Sequence, residues 1–192
     1  LHDFEQALVD LKQVLESDKE NSTARYWRAI AFAESGDQDR AISEIVRAIK
    51  RKPDDPRYYQ RHAELVSGKQ EWNKAIRSLE QAIRLDPLDP ALYHQRGLAL
   101  LETEHYSRAV SDFTRSLELA PDQTNLLVRR GQAQAAQQNF DQAMADFDNS
   151  LVKSAGDFRD QLKQSEAYTK KFNNNYMDNY YDTMYASSPA DR

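Results

Sequence analysis

The sequence predicts an all-α fold, a right-handed α-solenoid of 34-residue helix-turn-helix repeats with a C-terminal capping helix. Three observations carry this. Ala41, Ala75, Ala109 and Ala143 stand 34 residues apart, as do Pro53, Pro87 and Pro121. The columns beside the alanines stay apolar at helical spacing: Ile42, Ile76, Val110 and Met144, then Ile45, Leu79, Phe113 and Phe147, then Ile49, Ile83, Leu117 and Leu151. Asp55-Pro56 and Asp89-Pro90 each join a capping carboxylate to a proline whose fixed φ suits the first helical position. A constant period of this length is the mark of stacked helix pairs, each burying its apolar face only against its neighbours.

Taken in order, the chain opens on a lone second helix near 3–16, where Phe4, Ala7, Leu8, Leu11, Val14 and Leu15 sit one period before the later columns. Helix pairs then follow at 23–35 with 38–51, 57–68 with 72–85, 90–103 with 106–119, and 124–137 with 140–152. Pro53, Pro87 and Pro121 end the preceding helices, because proline cannot continue one. Gly36 and Gly68 are expected to close first helices. The array thus occupies 1–155, as a half repeat 1–21 and repeats 22–55, 56–89, 90–123 and 124–155. Beyond it, Phe158, Leu162, Ala167, Tyr168 and Phe172 continue at helical spacing and predict a capping helix over 156–172, leaving a Tyr-rich tail at 173–192.

The run Tyr93, Gly97, Leu100, Tyr106, Ala109, Phe113, Pro121, echoed by Leu127, Gly131, Phe140, Ala143 and Phe147, resembles the tetratricopeptide repeat. The resemblance covers about residues 3–155 and is carried best by the second helices. First helices depart from the family pattern: its leucine column holds Arg28, His62, Arg96 and Arg130, and its tryptophan column holds Arg25, Tyr59, Tyr93 and Leu127.

Composition narrows the function. Lys and Arg number 26 against 31 Asp and Glu, giving a formal charge of −5, and an acidic balance argues against a nucleic-acid footprint. The basic run Arg47–Lys52 falls at a helix C-terminus, where cations meet the negative end of the dipole. No apolar stretch approaches the ~20 residues that span a bilayer, so no membrane insertion is expected. Cysteine is absent, which excludes thiolate metal sites and cysteine nucleophiles. The compartment stays open between cytoplasm and periplasm. Because residue 1 is leucine and the first helix is the second of a unit, the natural chain is expected to extend upstream.

No constellation carries catalysis. The four histidines lack metal-ligand spacing, and Glu64 with His94 is the nearest approach to an acid/base pair. The glycines form no phosphate loop, so neither a cofactor nor a metal is expected. Function should therefore be binding, through the groove that the first helices of a solenoid line. Turning the small columns Ala29, Ala63, Gly97, Gly131 and Ala31, Leu65, Ala99, Ala133 inward leaves Tyr26, Ile30, Gln60, Glu64, His94, Leu98, Leu101, Val128, Gln132 and Ala135 as groove lining. The resemblance implies a protein or peptide partner. It does not imply the family's carboxylate clamp, since Tyr26 and Ile30, and their counterparts in later repeats, stand where its Lys and Asn would.

An apolar or amphipathic segment is the expected ligand of a non-catalytic interaction scaffold. The alternative is a regulatory or assembly domain of a larger enzyme or cell-envelope complex. In the tail, Tyr176, Tyr180 and Met184 form one helical row and Met177, Tyr181 and Tyr185 the next, an aromatic face expected to dock on a repeat surface, including tail-mediated self-association with a second molecule.

Overall fold

The structure, a computed structural model, describes residues 2–153. These form nine helices and, among the described residues, no strand: α1 (His2–Ser17), α2 (Ser22–Glu34), α3 (Gln38–Arg51), α4 (Pro56–Ser67), α5 (Trp72–Leu85), α6 (Pro90–Glu102), α7 (Tyr106–Leu119), α8 (Thr124–Ala136) and α9 (Phe140–Lys153). The expected capping helix at 156–172 and the tail at 173–192 lie outside the described residues. The chain divides into two compact units, Leu1–Asp122 with α1 to α7 and Gln123–Arg192 with α8 and α9. In the first unit α2 pairs with α3, α4 with α5 and α6 with α7; in the second, α8 pairs with α9.

Local chemistry sets the helix ends. Asn21, Asp37, Asp55 and Asp89 each accept a hydrogen bond from a free backbone N–H of the helix that follows, and Pro56 and Pro90 open α4 and α6. Between the helices of each pair the chain makes one recurrent turn. Its left-handed residue is Gly36, Gln70, Glu104 or Gln138, with φ of 85°, 60°, 59° and 65°. The next N–H then reaches back into the first helix: Asp37 to Phe32, Glu71 to Val66, His105 to Leu100 and Asn139 to Gln134, at 2.8–2.9 Å. Gly36 therefore closes its helix as expected, and Gly68 is the C-cap of α4, its N–H donating to Glu64 C=O at 3.1 Å, though without the left-handed backbone. Gly68 is right-handed at φ −60°, and the left-handed position is Gln70. Glycine suits position 68 for another reason: a Cβ there would stand 2.5 Å from the amide of Gln38, which crosses from the preceding repeat to bond Leu65 C=O at 2.8 Å.

The core is a seam between the two helices of each pair, built from residues sixteen apart. Ala29 and Ala63 come with Ile45 and Leu79, whereas Gly97 and Gly131 come with Phe113 and Phe147, and all eight are buried. Size is exchanged across the seam. A Cβ on Gly97 would lie 2.6 Å from the Phe113 ring, and one on Gly131 would lie 2.5 Å from that of Phe147. Small partners let the backbones close, and each buried Leu, Ile or Phe then contributes about 1.5–3 kcal/mol. Ser116 takes the column of Ala48 and Ala82, fully buried, and its hydroxyl is satisfied by donating to Pro90 C=O at 2.8 Å.

Gly97→Ala should destabilise the protein by about 1–3 kcal/mol through overpacking. The pair Gly97→Ala with Phe113→Leu, which copies the Ala63–Leu79 solution, should recover most of that loss. Urea unfolding of the two variants checks this, and equal destabilisation by both would refute the coupling.

Candidate functional site

Where the family pattern places leucine, this chain places a polar ladder. Arg96 donates from Nε and Nη2 to both carboxylate oxygens of Asp112 at 2.7 Å, and Arg130 grips Asp146 the same way at 2.7 and 2.6 Å. Arg28 reaches Glu44 at 2.7 Å, and Glu44 also accepts from Arg25 at 3.3 Å and Arg47 at 2.9 Å. Each of these carboxylates is buried, with 5–7% of its side chain exposed. A buried charge is tolerated only when paired and hydrogen-bonded, and bidentate arginine meets that need. The hydrogen bonds they donate to Asp112 and Asp146 hold the Arg96 and Arg130 guanidiniums above their ordinary pKa.

One rung differs. In the second full repeat His62 and Ser78 take the two positions, Nδ1 to Oγ at 2.7 Å. Burial lowers the pKa of His62, helped by the nearby charge of Lys74 and opposed by Glu71. The basic column was visible in the sequence; its acidic counterpart Glu44, Ser78, Asp112 and Asp146 was also there, one helix later at constant spacing.

The first-helix face of the first unit holds most of the sequence-derived groove residues. Tyr26 stacks on buried Tyr58 at 5.3 Å between centroids, and Trp27 stands edge-on to Tyr26 at 5.4 Å with 54% of its surface exposed. Ile30 is half-buried one turn on. Beyond this aromatic end lies a polar strap. Arg61 approaches Glu34 at 3.8 Å and donates to Glu64 at 3.0 Å, and Glu64 accepts from Gln95 Nε2 at 3.1 Å. Gln60, His94, Leu98 and Leu101 are half-buried, with the His94 ring 6.5 Å from that of Phe113. Arg61 Nε and Gln95 Oε1 are buried in the strap without a hydrogen-bond partner.

In the second unit Gln132 is half-buried, but Val128 and Ala135 are only 6% and 1% exposed. They do not offer the open surface expected of groove lining, because α8 buries residues on more than one of its sides, Leu126 to Val128 and Gly131 with Ala133 to Ala135. The tail segment Tyr176, Met177, Tyr180, Tyr181, Met184 and Tyr185 lies outside the described residues. Sequence reasoning missed Trp27, Arg61 and Gln95, one column past Tyr26, Gln60 and His94. The signal was a column mixing tryptophan with polar residues, which a packing column does not do. Within the basic run Arg47–Lys52, Arg47 pairs with Glu44, Arg51 with Glu20 and Lys52 with Asp55. Among the described residues no three His, Asp or Glu side chains converge on a metal position, and no helix is long and apolar enough to cross a membrane.

Two tetratricopeptide repeat models match the sequence, one over residues 1–65 and one over 63–125. The chain belongs to the tetratricopeptide repeat family, an all-helical scaffold whose general use is protein–protein interaction. No curated protein matches it in sequence. Among solved structures it is similar to MamA, with a TM-score of 0.76 at 20% identity over 79% of this chain and 89% of that one. A MamA form from Desulfovibrio magneticus RS-1, residues 41 to the end, gives 0.73 at 21% identity, covering 78% and 85%. YrrB, described as a tetratricopeptide protein with an unusual peptide-binding site, gives 0.70 at 17% identity, covering 82% and 86%. At these identities the likeness is one of fold.

Two outcomes follow from the ladder. Asp112→Ala should cost about 3–5 kcal/mol by stranding Arg96, whereas Arg96→Leu with Asp112→Leu should come close to wild type in chemical denaturation. His62, with a folded pKa below its unfolded value near 6.5, binds its proton more readily in the unfolded chain. Stability is thus full above pH 6.5 and falls as the pH drops through that value towards the folded pKa. Melting temperatures of wild type and His62→Gln across this range should converge in acid, and parallel curves would exclude His62 as the source.

Proposed function

We propose that this chain is a non-catalytic scaffold whose first-helix face holds an amphipathic peptide segment. Trp27, with Tyr26 and Ile30, takes the segment's apolar side, and the strap of Arg61, Glu64 and Gln95 takes its polar side. The exposed Trp27 carries the reading. An aromatic ring of this size left half in water, set edge-on to Tyr26, which itself stacks on Tyr58, has the character of an interface anchor. The unpartnered Arg61 Nε and Gln95 Oε1 support it, since a bound segment would supply the hydrogen-bond partner each lacks. The peptide-binding description of YrrB, a protein of similar fold, supports the class of ligand.

Peptides selected from a displayed random library on the full chain, then titrated singly by isothermal calorimetry, test this. Binding should fall at least tenfold in Trp27→Ala and in Glu64→Ala and stay unchanged in Leu88→Ala, an exposed residue on the turn before α6. Selected peptides indifferent to Trp27, or micromolar saturation by an acidic C-terminal chaperone peptide, would overturn the proposal.

A further inference from the structure

The second helices of the first unit carry a cationic groove between α3 and α5. Two contacts fix how neighbouring second helices lie. Lys69, on the turn before α5, reaches Asp39 in the first turn of α3 at 2.5 Å, and one repeat later Arg108 of α7 reaches Glu80 of α5 at 2.8 Å. Carried back by one period of 34 residues, the Arg108–Glu80 position becomes Lys74 beside Val46. An ion pair is thus replaced by a valine left 47% exposed, while Lys74 turns to Glu71 at the start of its own helix. One turn further on, α3 presents Lys50 and α5 presents Arg77. Both are exposed, and among the described residues neither meets a carboxylate. Arg47 stands next to Val46 with 58% of its side chain exposed, on a carboxylate, Glu44, that already serves Arg25 and Arg28. Four cations therefore border one exposed valine, and the carboxylates they reach carry less charge than they face.

We propose that this groove docks an acidic protein segment in which carboxylates flank one apolar side chain. Charge complementarity names the occupant. Carboxylates placed opposite Lys50 and Arg77 steer the segment and set its orientation more than they add affinity, because both cations are well hydrated in the free protein. Val46 adds a preference beyond charge, since removing it from water needs an apolar partner. The positive excess is local: the whole chain carries a formal charge of −5, so an acidic segment is held off elsewhere and directed to this face. A nucleic acid fits less well. Its phosphates gain nothing from Val46, and none of Val46, Lys50, Lys74 and Arg77 offers a ring for a base to stack on. The groove lies on second helices, apart from Trp27 on α2, and its assignment does not depend on the function proposed above.

A synthetic peptide of repeated Glu-Glu-Leu-Glu units, titrated into the isotope-labelled full chain at low salt, is the probe. Amide shifts should centre on Val46, Lys50 and Arg77 and saturate, and affinity should fall as salt is raised. It should drop at least tenfold in the double variant Lys50→Glu with Arg77→Glu, and about fivefold in Val46→Ser. A peptide with lysine in place of glutamate should bind the double variant and ignore the wild type, which separates a reversed contact from a damaged fold. Arg129→Glu, at an exposed cation on α8, should leave binding intact. Absence of shifts on α3 and α5 at millimolar peptide, or wild-type affinity in the double variant, would overturn the proposal. So would equal affinity for a glutamate-only peptide of the same length, or tighter binding of single-stranded DNA or phosphatidylserine vesicles at the same residues.

Discussion

Every complete helix pair depends on one seam in which two couplings run side by side. A small residue on the first helix accepts a large one from the second, and the neighbouring residue on each helix forms a polar rung. Both couplings span sixteen residues, so they are fixed by the same crossing of the same two helices. Packing alone would tolerate some sliding of one helix along the other, since apolar contact is non-directional. A bidentate arginine–carboxylate pair does not, because its two parallel hydrogen bonds hold only in one geometry. The rung supplies register and the small-to-large contact supplies most of the burial.

The position of the rung also decides what is left for binding. Arg28, Arg96 and Arg130 spend their charge inside the helix pairs, and Arg47, Arg51 and Lys52 at the end of α3 pair with Glu44, Glu20 and Asp55. What remains on the first-helix face of the first unit is an aromatic end at Tyr26 and Trp27 and a strap of alternating sign through Glu34, Arg61 and Glu64. Such a surface favours a ligand by shape and by paired hydrogen bonds more than by net charge. Electrostatic steering there is correspondingly weak.

The fold was legible because it is written four times over. A single Ala41 or Phe113 says little, but four alanines in register leave few alternatives to stacked helix pairs. Helix starts were legible wherever the cap is an aspartate before a proline. The turns were less so: Gln70, Glu104 and Gln138 adopt a left-handed backbone that glycine usually takes, and the glycine that did appear nearby, Gly68, answers to the Gln38 side chain instead. The candidate face was legible in part. Column arithmetic named Tyr26, Ile30, Glu64 and Leu98, which stand in two recurring columns of α2, α4 and α6. It could not find that Val128 and Ala135 are covered, because burial depends on what lies over a helix and not on its own periodicity. The departure from leucine at Arg28, His62, Arg96 and Arg130 was plain, and its meaning required the second column at 44, 78, 112 and 146.

The charge of each arginine rung is neutralised within a single repeat, whereas the pairs Arg61–Glu34, Lys69–Asp39 and Arg108–Glu80 join neighbouring repeats. Gene duplication or deletion of whole 34-codon blocks would leave every arginine rung with its own carboxylate and every phenylalanine of the seam with its own glycine. What must match at a new junction is less demanding: the Tyr26–Tyr58 stack, the Tyr58–Ser22 hydrogen bond and the reach of Gln38 to Leu65. Such a chain can change length in evolution more readily than it can change the partner of any one rung, since the latter needs two substitutions at once while the former needs none.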